Sequence, residues 1–439
     1  MFDQIINIAV REVPARCRGG ASRRPQTPEH GVARRASASN APTWGMQVST
    51  ADAMTRSCLA FLIYVMLSAG AVAANTETDW PIYHGDAGLR GIASCKLPDK
   101  FSVLWRYKVG SAVSLAPVSD GKNIFFVAEN GEASAITLSG EKVWLSTITQ
   151  EQAATNVYQH KERYQSPPAV VRNMVLIGSD IGRLHALKAD SGETKWKYQV
   201  GESITATVNW IEPGGSDAVK VVVISQADSV LHCVDLDSGR SIWTTQPLGR
   251  SDGSPGIGKG FVSFGNCESA LYVYSSSNGH LAGCIKLNES DGQVVGGVSV
   301  AGDLLFAGTR GGLAVCADVR KAAIVWTNQL SSSESFATPA VADEKVVTCS
   351  NDGSVYCLNR IDGKLMWNVK VSGEPRSPII AGDKVVIASG GTLYILKLQD
   401  GTILWSDKSC DTLSPPAVLD GRIVVGTDDG FVVMYGAVK

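Results

Sequence analysis

At 439 residues, 44% hydrophobic and 19% charged, the chain can bury a large core in one big all-β domain or in two or three average domains. The net charge of −2 hides a basic start: residues 1–74 hold eight Arg and four acidic residues, leaving 32 basic against 38 acidic beyond them. A mildly acidic body without a basic stripe excludes a nucleic-acid binder.

Residues 1–53 carry Arg16, Arg18, Arg23, Arg24, Arg34 and Arg35 among Ser, Ala, Gly and Pro, with no hydrophobic periodicity. Such a composition does not fold by itself. It reads as a transit peptide or, in preference, as an over-extended translation start ahead of Met54. From there a short positive start, the apolar run Cys58–Leu67 and the small-residue end Ser68–Ala74 make residues 54–74 a secretory signal peptide. The apolar run is too short to span a membrane comfortably. No Cys of the lipoprotein kind stands at the cleavage region, so no lipid anchor is predicted. Cleavage near Ala73 or Ala74 then yields an exported protein, periplasmic or extracellular, beginning with a segment over 75–101.

Ten tryptophans are present, and seven end one recurring phrase. Gly140-Glu-Lys-Val-Trp144 matches the runs ending at Trp196, Trp243, Trp367 and Trp405, while Trp326 ends a degenerate copy and Trp105 a truncated one. The spacings from Trp105 onward are 39, 52, 47, 83, 41 and 38 residues. The 83 is about twice 41, so one Trp slot is empty near Gly283-Cys284, where Gly279 still marks the phrase. A Pro step opens most units (Pro117, Pro167, Pro255, Pro339, Pro378, Pro415), and β-branched runs separated by Gly, Asp and Asn turns follow. A period near 40 with strand-like content predicts a single eight-bladed β-propeller over 102–439. Each blade has four antiparallel strands. The last unit, Ser414 to Lys439, lacks its Trp strand, so the N-terminal strand around Trp105 is predicted to close the ring.

These phrases resemble the quinoprotein-repeat family, the propellers of pyrroloquinoline quinone (PQQ) dehydrogenases and their cofactor-free relatives. The family's tryptophan-docking phrase reads Ala-x-Asp-x-x-Thr-Gly-Lys-x-x-Trp, and Cys233-Val-Asp-Leu-Asp-Ser-Gly-Arg-Ser-Ile-Trp243 is its fullest copy here. The opening Asp79-Trp80-Pro-Ile-Tyr-His-Gly85-Asp86 looks like the segment before the first blade of such proteins. The resemblance covers 79–439. It implies structural docking roles for Trp105, Trp144, Trp196, Trp243, Trp326, Trp367 and Trp405. The functional model it suggests is the BamB-type propeller of outer-membrane β-barrel assembly.

In the family's dehydrogenases a Ca²⁺ held by carboxylates and amides polarises the quinone, and an Asp takes the alcohol proton. Adjacent cysteines and aromatic walls flank the cofactor. This sequence has no Cys-Cys pair, no Cys-x-x-Cys-His haem motif and no spare Trp on the propeller beyond Trp210. The turn aspartates Asp180, Asp352, Asp428 and Asp429 recur in different blades and read as turn residues rather than as ligands of one ion. Cys233, Cys316 and Cys357 fill the small-residue slot before Trp and read as buried hydrophobes. Cys349 and Cys357, on neighbouring strands, are the one pair that could bridge. His185 and His232 read as strand packing.

The feature most like a functional one is the long insertion between Trp144 and Ser166. Its polar, Tyr-bearing sequence suits a contact loop near the channel mouth. The expected partner-binding rim is Tyr158, His160, Lys161, Arg163, Tyr164 and Gln165, with Glu374 and Arg376 beside the Ser377-Pro378 opening. The sequence thus predicts a monomeric, exported, non-enzymatic scaffold that binds a protein partner without cofactor or metal. The alternatives are a PQQ- and Ca²⁺-dependent alcohol or sugar dehydrogenase, and a propeller binding a carbohydrate or small ligand in its channel.

Overall fold

Short runs of β-branched residues broken by Gly, Asn and Asp turns carry no helical period. The computed structural model describes residues 79–148, 162–212, 218–287 and 292–438, and none of these is helical. They form eight antiparallel sheets, one per repeat, arranged as the blades of a propeller. Blade 2 shows the plan: Ala169–Val171, Met174–Gly178, Arg183–Lys188 and Thr194–Gln199 run from hub to rim. Its first two strands are fully buried, because neighbouring blades cover both faces, and its outer strand is half exposed.

The ring closes as the repeat count requires. Phe101–Lys108 pairs antiparallel with Phe431–Ala437, setting Trp105 opposite Met434, so the N-terminal strand is the outer strand of blade 8. Val118–Ser119 of blade 1 packs beside Ala417–Leu419 of blade 8 at the hub. Blade 7 gains a fifth strand, since Ile92–Ala93 pairs parallel with Ile379–Ala381.

The tryptophans act between blades. The indole N–H of Trp105, Trp144, Trp196, Trp326 and Trp367 donates to a carbonyl of the following blade at 2.8–3.0 Å. Each of these rings lies on the glycine of the next phrase; a Cβ at Gly239 would meet Trp196 at 2.7 Å and one at Gly363 would meet Trp326 at 2.5 Å. Both glycines also have φ near +70°, which disfavours any side chain there. At the closure Trp405 has no following phrase and instead packs on Phe101, ring centroids 5.3 Å apart.

Blade 4 shows what an empty slot does. Cys284 sits opposite Tyr272, in the register where Trp326 faces Cys316 and Trp367 faces Cys357. The large residue has moved to the middle strand, where Tyr272 stacks on Phe264 at 5.7 Å. With no indole arriving from blade 4, Ala322 of blade 5 takes the phrase's glycine place, at φ +48°. Cys349 and Cys357 are both free. Those two are diagonal rather than opposite: Cys349 faces Val355 and Cys357 faces Val347.

The plugged hub and the open loop face

The innermost strand of each blade would leave N–H groups pointing into a central channel, and buried donors need partners. The chain supplies them from residues 79–91. Trp80 and Ser119 exchange both backbone bonds in blade 1. Going round the hub, Val170, Ile257, Val300, Val341 and Ile380 donate to the carbonyls of Pro81, Ala87, Gly88, Arg90 and Gly91. Blade 3 uses a side chain instead: Asn209 Nδ2 donates to Ala87 O and Pro255 O. Tyr83 OH bonds Thr338 Oγ1 and Ser377 Oγ, and Ser299 Oγ donates to Leu89 O. One segment thus ties seven blades together, and Trp80, Ile82, Leu89 and His84 are buried in it. The sequence reading placed this segment ahead of the first blade without assigning it to the channel.

Antiparallel strands fix which loops share a face. The plug meets blade 1 at Ser119, the end where first strands turn into second strands. The opposite face carries the loops between blades and the turns between second and third strands. There, between blades 1 and 2, lies an open cavity of about 590 Å³. Its apolar wall is Val127, Ala128 and Tyr164, all buried, with the half-buried Leu115. Its polar wall is Ser114, Glu129, Arg163, Gln165, Asp180 and Thr205, and Thr205 Oγ1 has no hydrogen-bond partner.

Of the predicted rim residues, Arg163, Tyr164 and Gln165 line this cavity, whereas Glu374 and Arg376, on the loop into blade 7, do not. Tyr158, His160 and Lys161 lie outside the described residues. The segment 162–166 is fastened along the turn of blade 2. Arg163 N–H donates to Asp180 Oδ1, Asp180 N–H to Arg163 O, and Gln165 N–H to Gly178 O.

Glu162, which sequence reasoning passed over, anchors this wall. Its carboxylate accepts from Arg183 Nη1 and meets His185 Nε2, both at 2.8 Å. The Tyr164 ring stands edge-on to His185 at 5.2 Å. His185 is therefore more than strand packing, because it holds the end of the insertion. Burial raises the Glu162 carboxyl, but hydrogen bonds with His185 and Ser179, helped by the charges of His185 and Arg183, outweigh it and leave the group below its ordinary value. Burial lowers the basicity of His185, His84 and His232 despite neighbouring acceptors or carboxylates. His84 faces two carbonyls, Leu89 O at 2.6 Å and Pro378 O at 2.8 Å, yet a neutral ring donates only once.

The sign of the pH dependence follows. Histidines held below 6.5 when folded contribute stability that is complete above 6.5, and this is lost as pH falls towards their folded values. The urea midpoint should fall between pH 7.5 and pH 5, with a shallower fall in His232→Asn. A flat profile in the wild-type chain would show that the three rings titrate alike in both states.

The turn aspartates serve the turns. Asp352 Oδ1 accepts from Ser354 N–H, and hydrogen bonds with Ser354, Lys370 and Ser331 outweigh its burial and bring it to about 2. Among the described residues no three His, Cys, Asp or Glu side chains converge on a metal position. No helix among them is long and apolar enough to cross a membrane.

Comparisons with known proteins agree with this architecture. The BamB of Shewanella oneidensis is 24% identical over 265 residues, covering 57% of this chain and 65% of that protein. The chain thus matches just under two thirds of that relative's length. Among solved structures, BamB from Moraxella catarrhalis superposes with a TM-score of 0.62 at 19% identity, covering 77% of this chain and 98% of that one. A europium-containing methanol dehydrogenase gives 0.70 at 11% identity, over 82% and 98%. The fold is thus shared by an assembly factor and a methanol dehydrogenase. A family profile described as "Outer membrane protein assembly factor BamB" matches residues 99–283, 285–412 and 351–437, and with that span the chain belongs to this family of PQQ-like propellers.

Proposed function

We propose that the chain is an exported, non-enzymatic scaffold whose loop face binds a protein partner during assembly in the cell envelope. The observation that carries this reading is the plug: the chain's own residues 79–91 occupy the hub, leaving the cavity on the loop face for an outside partner. Signal cleavage near Ala73 or Ala74 would leave the plug intact, which suits an exported, periplasmic or extracellular protein. Membership of the assembly-factor family supports the same role.

The residues around the cavity do not fit PQQ with Ca²⁺. Its ring wall is Tyr164 alone, its carboxylates Glu129 and Asp180 belong to turns of different blades, and none of the described cysteines stand next to each other in the chain. Five of the seven repeat indoles are hydrogen-bonded to the next blade.

Photo-crosslinking in cells tests the reading. A crosslinker at Gln165 or Arg376 on the loop face should trap one envelope protein, and one at Asp362 on the plug face should not. No adduct from the loop face, together with tight PQQ and Ca²⁺ binding and dye-linked alcohol oxidation, would overturn it in favour of the dehydrogenase.

A further inference from the structure

The charge around the cavity is one-sided. Going from blade 8 to the loop into blade 3, the loop face presents Asp428 and Asp429, then Glu129, Asp180 and Glu202. These turns adjoin: Val113 N–H donates to Thr427 O, and Glu129 N–H to Ala112 O. Among the described loop and turn residues of this face from blade 8 to the entry of blade 3, Arg163 is the one basic side chain; Lys108 ends the outer strand of blade 8 beside them, and Arg250, on the loop leaving blade 3, is paired with Asp252. Arg183, just inside a strand, is already held by Glu162. On the plug face the turns of the same blades carry Lys122 and Arg172, and the strand ends there carry Lys142, Lys188 and Lys195, among their carboxylates. The acidic arc therefore belongs to one face, and two of its members, Glu129 and Asp180, line a cavity that also has an apolar wall.

We infer that this arc and cavity bind a basic polypeptide segment that places an apolar side chain against Leu115, Val127 and Tyr164 while flanking Lys or Arg side chains meet Glu129, Glu202 and the blade 8 aspartates. The inference rests on the scaffold reading and names the partner's chemistry. Like charges close together raise the local potential, and a positive segment relieves it; such pairing sets encounter rate and register more than raw affinity. The apolar wall supplies the anchor that fixes one binding geometry. Thr205 Oγ1, buried and without a hydrogen-bond partner, offers an acceptor or donor to the bound backbone.

The test uses the full chain and labelled eight-residue peptides. A peptide alternating lysine with leucine should bind, weakening about tenfold from low to physiological salt. Glu129→Lys with Glu202→Lys should weaken it by a further factor of about ten, because both side chains are exposed and are not needed by the fold. Glu344→Lys on the plug face should leave it unchanged. A lysine–serine peptide should bind more weakly; equal binding would remove the apolar anchor from the inference. Equal binding of a glutamate–leucine peptide, or no loss in the double variant, would overturn it. If the peptides fail while the Arg376 crosslink still traps a protein, the charge inference falls and the scaffold reading stands. If both fail, the scaffold reading falls with it.

Discussion

Replacing Trp80 with alanine should destabilise the propeller by about 3–5 kcal/mol, the ordinary range for a buried aromatic truncated to a methyl group. The ring is 1% exposed and shares a core with Ile124, Phe126, Val418 and Leu419, so the hole would open between the plug and blades 1 and 8. The surroundings cannot collapse to fill it, because Trp80 is held by both backbone bonds to Ser119. Trp80→Phe should cost far less: it keeps most of the packing and removes an indole N–H that has no partner. Denaturant unfolding of both variants measures this. An alanine variant within 1 kcal/mol of the parent, on the scale of an ordinary surface change, would mean that the plug adds nothing to the ring.

A comparable loss is expected on the outer rim. Trp326→Ala should cost about 3–5 kcal/mol, since the indole packs against Phe306 at 6.1 Å, covers Gly363 and donates to Arg360 O at 2.9 Å. The hydrogen bond can be separated from the packing by comparison with Trp243, whose N–H is buried without a partner. Trp326→Phe should be worse than Trp243→Phe by about 0.5–1.5 kcal/mol, the net worth of one hydrogen bond. Equal losses at the two positions would show that the bond to Arg360 contributes nothing and that stacking on the next glycine is the whole effect.

Much of this was legible before any coordinates. The Trp phrase at a period near 40 carries the blade count, and the missing Trp strand after Ser414 requires closure by the strand around Trp105. Even the empty slot is written in the residues: Cys284 for Trp, Tyr272 for a small residue and Ala322 for Gly change together because one indole touches all three places. Such features are readable because each depends on contacts repeated at a fixed sequence distance.

The candidate site was only partly legible. Arg163, Tyr164 and Gln165 could be picked out by their place at the end of an insertion, and they do share a cavity. Glu162 looked like one more loop charge, because its partners Arg183 and His185 come from a strand about twenty residues on. Glu374 and Arg376, beside the Ser377-Pro378 opening, share the loop face but lie on the loop into blade 7, outside this cavity.

The sequence by itself determined the fold class, the number of blades, the closing strand and the places of the repeated tryptophans, all of which follow from local periodicity. Only the tertiary structure decided that residues 79–91 enter the hub, that blade 7 takes a fifth strand and that Glu129 and Asp180, from separate repeats, border one cavity. The physical reason is that a ring brings together groups tens to hundreds of residues apart. His84 and Pro378 are 294 residues apart in the chain yet share a hydrogen bond, and no periodicity encodes that meeting.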